Sequence, residues 1–235
     1  MIEAKQISKK YDSKRILKKI SFVVRAGTIH GFVGPNGSGK STFLNILVRL
    51  VLPDGGEAYI EKRLVQQEPF FNEHLGYVPA EAKFPPEMTV KEYILDRGYL
   101  RDISTTEVLR KISISSLARF LDCNCNELST GWKKILQLFI LKLYKPAIIL
   151  LDEPFNGLDP TFRYELLNNL KNIRANGKTI LISTHILSDL QKLADDITMI
   201  NNGKIIYIDP KNSDIEIAYK NIFVNEERRE NFELL

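Results

Sequence analysis

The residues Gly34, Pro35, Asn36, Gly37, Ser38, Gly39, Lys40 and Ser41 fit the pattern G-x-x-x-x-G-K-[ST], and Thr42 follows directly. In this pattern backbone N–H groups curl round phosphate oxygens while the lysine adds a full positive charge and the hydroxyl reaches a magnesium ion. The surroundings suit that chemistry. Residues 28–33 read as a short buried strand, and 41–52 carry Phe43, Leu44, Ile46, Leu47 and Leu50 at helical spacing. A helix starting behind a glycine loop offers unsatisfied N–H donors and partial positive charge to an anion. The implied ligand is a nucleoside triphosphate with Mg2+.

A second stretch, Ile148-Ile149-Leu150-Leu151-Asp152-Glu153-Pro154, ends four apolar residues with two carboxylates. A buried strand ending this way places Asp152 beside the water shell of a metal and Glu153 where it polarises an attacking water. Phosphoryl transfer depends mostly on such placement, because little covalent chemistry is left for the protein.

These groups need a scaffold, and the composition provides for one. The 235 residues, 44% hydrophobic and 26% charged, suffice for a sizeable globular core. The net charge of +4 is spread along the chain, so no nucleic-acid partner is expected. Cys123 and Cys125 form a lone C-x-C, read as reduced thiols in a cytosolic protein. Residues 1–19 alternate charged and apolar types without the apolar stretch of a signal peptide. The most apolar region, 135–151, is broken by Lys142, Lys145 and Pro146. Action at a membrane would therefore need another chain to cross it.

The chain opens with strand-like segments at 21–24 and 57–60, then reads as mainly helical from 88 to 144, with helices expected at 90–100, after a capping box at Ser104 to Glu107, and at 135–144. Strand and helix then alternate again: strands at 147–151 and 179–183 flank a crossover helix at 160–175, and a hairpin follows over 197–200 and 204–208. The charged end, 225–235, reads as a frayed helix. The fold class is α/β, with a helical insertion between the first and later strands.

Between the two chemical motifs lies Leu128-Ser129-Thr130-Gly131-Trp132, ahead of an apolar helix. Here the sequence resembles the ATP-binding cassette ATPases, whose signature is usually L-S-G-G-Q. The resemblance extends over nearly the whole chain: Tyr11 falls where the family stacks an aromatic ring on adenine, Asn156-Gly157-Leu158-Asp159 where it has its D-loop, and Ser183-Thr184-His185 where a switch histidine is expected. It implies a P-loop NTPase core, mostly parallel sheet with an N-terminal antiparallel part, over 1–80 and 146–210. A helical subdomain would occupy 81–145 and a short tail 211–235, all in one domain.

The implied mechanism closes two cassettes head to tail over two ATP molecules. Gly34 to Thr42 would hold the phosphates, Lys40 those at β and γ, and Ser41 and Asp152 the magnesium. Glu153 would act on water and His185 on the γ-phosphate, while Ser129, Gly131 and Asp159 complete the nucleotide site. The wording of the motifs is most similar to exporter-type cassettes serving separate membrane subunits, at the inner face of the cell membrane. A soluble cassette acting on ribosomes or nucleic acid is the competing reading. Two departures stand out: Thr130 and Trp132 replace the glycine and glutamine of the signature, and Ala80 follows Pro79 where the family has glutamine or glutamate, leaving Glu81 as the substitute ligand. The groove for a membrane partner is expected along 75–84, with Tyr77, Phe84 and Pro85 offering apolar contacts.

Overall fold

The computed structural model describes residues 1–67 and 74–209, together with 217, 219 and 220. The tail expected over 225–235 lies outside them. Two strands, β1 (Ile2–Tyr11) and β2 (Lys14–Val24), open the chain as a long antiparallel hairpin. Its register shifts several times, with positive φ at Gln6 and Lys19. Those bulges break the period-two alternation on which strand recognition depends, which is why only the end of β2 stood out in the sequence.

The next strand, β3 (Ile29–Val33), leads through the phosphate loop into α1 (Lys40–Leu47). The helix stops short of the expected residue 52 because Arg49 turns left-handed, at φ 58°, and Leu50 faces solvent. β4 (Gly55–Ile60) and β5 (Arg63–Leu64) then complete a four-stranded antiparallel sheet in the order β2-β1-β4-β5.

The second sheet carries the phosphate loop and the strand that ends in Asp152. It uses β6 (Leu75–Val78), β7 (Ile148–Asp152), β8 (Thr179–Thr184), β9 (Asp196–Asn201) and β10 (Lys204–Asp209) in the order β10-β9-β3-β8-β7-β6. All neighbours pair in parallel except β10, which returns antiparallel to β9. Apolar runs suit strands covered on both faces. Ile148 and Leu150 point into the core shared with α1 and the first sheet, whereas Ile149 and Leu151 point into the core beneath the crossover helix.

The helical part separates β6 from β7. It comprises α2 (Val90–Tyr99), α3 (Thr105–Ser113) and α4 (Thr130–Tyr144), packed round Val90, Ile94, Leu117, Leu136 and Ile140. Thr89 and Glu92 form a reciprocal capping box on α2, and Ser104 accepts from the Glu107 N–H ahead of α3. The crossover helix α5 (Pro160–Ala175) has the expected bounds, and a short α6 (Leu187–Leu190) precedes β9.

The expected partner groove is corrected by packing. Phe84 is 9% exposed and stands edge-on to Tyr93 inside the helical core. Tyr77 is half-buried, its hydroxyl donates to Asn45 Oδ1 at 3.1 Å, and burial raises its pKa. Of the three, only Pro85 is exposed. Phe84 therefore holds the fold together: truncating a buried phenylalanine costs about 3–5 kcal/mol. Phe84→Ala should lower the urea midpoint of unfolding accordingly, and an unchanged midpoint would return Phe84 to the surface.

Candidate active site

The sheet brings the distant motifs level with one another. Val33 pairs with Thr184, and Asp152 with Ser183, so β3, β8 and β7 end side by side. The phosphate loop, the acid pair and His185 thus leave one edge of the sheet, the carboxyl edge at which α/β proteins place their ligands.

The loop is shaped for close approach. Gly39 has φ 110°, and a Cβ there would sit 2.6 Å from Leu17 Cδ2, so only glycine fits. Gly39 caps α1 without a side-chain bond, which leaves the first-turn N–H groups to an anion. Gly34, Ser38 and Lys40 are buried, Pro35 and Thr42 half-buried, and Asn36, Gly37 and Ser41 exposed. Ser38 Oγ is buried with no hydrogen-bond partner, a polar atom that a phosphate oxygen would satisfy. Beside it lies a polar hollow of about 550 Å3, walled by Lys14, Arg15 and Lys18 from the hairpin and by Asn36 and Gly37 from the loop. A larger, mainly apolar groove of about 650 Å3 between α4 and α5 is lined by no residue of the phosphate loop, whereas Pro35, Asn36, Gly37 and Ser38 all line the smaller hollow.

Charge is concentrated behind the loop. The Lys40 ammonium donates to the carbonyls of Gly34 at 2.7 Å and Pro35 at 3.1 Å, and lies 3.5 Å from Glu153 Oε1. Burial lowers its pKa, and the nearby Glu153 opposes that shift. Glu153 reaches this place from a left-handed backbone, φ 45°, a conformation that costs a non-glycine residue energy and that its N–H bond to the Ser183 carbonyl at 3.0 Å helps to hold. His185 Nδ1 lies 3.0 Å from both carboxylate oxygens. One carboxylate therefore links the phosphate-loop lysine to the switch-position histidine.

Asp152 is buried, and Ser183 Oγ donates to its Oδ1. With Ser41 it would offer a magnesium ion one carboxylate and one hydroxyl, which suits an ion that draws its other ligands from phosphate and water. Glu81 is exposed, and among the described residues no three His, Cys, Asp or Glu side chains gather as a metal site, so it does not join Asp152 and Glu153 in one. Asp159 caps α5 through Thr161 and Phe162 N–H groups. Tyr11, 45% exposed, ends β1 with the Lys9 ammonium 5.5 Å over its ring; its hairpin borders the hollow, though Tyr11 itself does not line it.

The family model described as ABC transporter matches residues 17–156, more than half of the chain. The chain belongs to the ABC transporter family. It is an ATP-binding ATPase subunit of that family by its motifs and fold. It is 32% identical to the Nod factor export ATP-binding protein I of Burkholderia lata over 87% of this chain and 69% of that one. To the ABC transporter ATP-binding protein YtrB of Bacillus subtilis it is 31% identical, covering 87% and 70%. A solved ATP-binding subunit of an ABC transporter superposes with TM-score 0.81 at 27% identity, over 89% of this chain and 90% of that chain. The dimeric cassette MJ0796, with ADP and Pi, shares the fold at TM-score 0.80 and 24% identity, over 91% and 100%.

The signature segment of this cassette starts α4, with Ser129 as its N-cap, accepting from the Trp132 N–H. It touches the D-loop of its own chain. A Cβ on Gly131 would meet the Gly157 carbonyl at 2.7 Å, and one on Gly157 would meet Thr130 Cγ2 at 2.9 Å. Trp132 packs 4.6 Å from Phe120 and 5.1 Å from Phe162 of α5, ring centre to ring centre, with the Arg119 guanidinium 4.5 Å over it. The departures from the usual signature are thus contacts between the helical part and the core. The departures themselves were the only sign of this in the sequence, because which surface they face depends on the fold.

Removing a buried charge partner typically costs about 2–5 kcal/mol. Lys40→Ala should therefore weaken ATP binding by roughly two to three orders of magnitude in a calorimetric titration. Equal affinities would dissociate Lys40 from the phosphate site.

Proposed function

We propose that this cassette hydrolyses ATP to drive export through a separate membrane subunit, acting as one of two cassettes that close head to tail. The observation that carries the chemistry is Glu153 held between Lys40 and His185. An incoming γ-phosphate competes for Lys40, which frees Glu153 to face water, while His185 remains beside it to contact the γ-phosphate. Ser41 and Asp152 would hold magnesium, whose charge stabilises the transferring phosphoryl group. Tyr11 would cover the adenine, and Ser129 and Gly131 would meet the nucleotide of the opposite cassette. Chain limits of 1–80 and 146–210 for the core, 81–145 for the helical subdomain and 211–235 for the tail suit this arrangement.

Export as the direction is supported by the name of the Burkholderia relative, and a membrane partner by the transporter names of the relatives generally. Among the described residues no helix is long and apolar enough to cross a membrane. The partner places this cassette at the cytoplasmic face. With Phe84 buried and Tyr77 half-buried, the docking surface shifts to Leu50 and Leu52, which are 57% and 56% exposed. They adjoin the expected groove: Tyr77 bonds Asn45, whose carbonyl accepts from the Leu50 N–H at 2.9 Å.

Glu153→Gln keeps the side chain's size and removes its charge. General-base contributions of about 10²–10⁴-fold are usual, so turnover should fall on that scale while ATP now holds a dimer visible by light scattering. Wild-type turnover would remove Glu153 from the reaction, and an inactive variant that stays monomeric with ATP would remove the head-to-tail dimer.

A charge on the docking surface should act elsewhere. Leu50→Asp, expressed with its native neighbours, should lose a co-purifying multi-span membrane protein and keep wild-type ATP affinity. Recovery of wild-type protein on ribosomes or DNA instead would favour the soluble reading.

A further inference from the structure

Lys134 is 2% exposed, as deeply buried as the lysine of the phosphate loop, yet no motif assigns it a role. Its ammonium donates to the carbonyls of Pro79 at 2.7 Å and Ala80 at 3.1 Å. No ion pair involving it is among those formed by the described residues, and the charges it feels belong to Asp152 and Glu153. Burying an ammonium without a carboxylate partner is expensive. Such a cost is tolerated where the charge serves a fixed geometry.

The bonded carbonyls lie at a particular place. β6 runs in parallel beside β7, with Val78 opposite Leu151, so Pro79 and Ala80 leave the sheet next to Asp152 and Glu153. Ala80 has no polar side chain with which to anchor this turn. Lys134 anchors it from outside, from α4, the helix whose first residues carry Ser129 and Gly131. Thr130, one helical turn before Lys134 and on the same face, rests on Gly157. One face of α4 therefore grips the turn after β6 through Lys134 and the turn after β7 through Thr130.

The geometry points to Lys134 as a positioning residue for ATP hydrolysis: by bonding the Pro79 and Ala80 carbonyls it fixes the signature end of α4 relative to the acid pair. It acts through the turn whose carbonyls it bonds, and the burden it carries is distance. This deepens the hydrolytic function proposed above, so wild-type turnover is measured first; its absence refutes hydrolysis and not the tether.

Lys134→Met retains the length and apolar stem but removes all three donors. Loss of alignment at a reaction centre can cost about 100-fold, so kcat for ATP should fall by about 10–100-fold with KM changed by less than about threefold. Amide exchange over residues 80–84 should quicken in the same variant. Wild-type kcat, a change confined to KM, or unaltered exchange over 80–84 would each overturn the assignment. Lys134→Arg, which keeps the charge and the donors, should restore most of the turnover lost in Lys134→Met. If Lys134→Met does not fold, a folded Lys134→Arg variant with kcat reduced as far as tenfold overturns it instead.

Discussion

Everything in this cassette depends on three parallel strands ending at the same height. β8 lies between β3 and β7, and its hydrogen bonds to both set Val33, Thr184 and Asp152 at one edge. A slip of one residue would send each side chain to the opposite face of the sheet. It would also carry the phosphate loop past the acid pair by about 3.3 Å, the rise of one strand residue. Burial of all three strands on both faces makes such a slip costly, since Phe32, Leu150 and Leu181 belong to one core and Ile149, Ile180 and Ile182 to the other.

That edge concentrates charge in a place with little water. Lys40, Lys134, Asp152 and Glu153 are all under 10% exposed, and two cations among two anions leave the group close to neutral. The lysines settle on backbone carbonyls rather than on short ion pairs: Lys40 on Gly34 and Pro35, Lys134 on Pro79 and Ala80. Burial pulls the pKa of Lys134 down to about 8 against the attraction of Asp152 and Glu153. Bonds to carbonyls satisfy N–H donors without neutralising them. Each lysine therefore keeps its charge while its donors are held in place.

What the sequence revealed depended on how far the informative contacts reach. The phosphate loop, the strand ending in Asp152 and the bounds of α5 rest on local signals: glycine spacing, an apolar run, and a Pro at the start with Asn-Gly at the end. The first hairpin was mostly hidden, because Gln6 and Lys19 take left-handed turns that scramble the alternation. Phe84, Pro85 and Tyr77 look alike as apolar residues near a loop, but only packing separates the ring inside the helical core from the proline in solvent. Lys134 was illegible for a related reason. A lysine on a helix is ordinarily solvated, and its burial arises from a turn more than fifty positions earlier in the chain.

Trp132 is the sole tryptophan of the chain, and it sits where the helical part meets α5. Its indole lies between the Phe120 and Phe162 rings and beneath a guanidinium, so its emission is set by neighbours from both sides of that junction. The cassette thus has an intrinsic optical gauge: any rotation of the helical part against the sheet alters the indole's surroundings and is readable by ultraviolet fluorescence in the unlabelled protein.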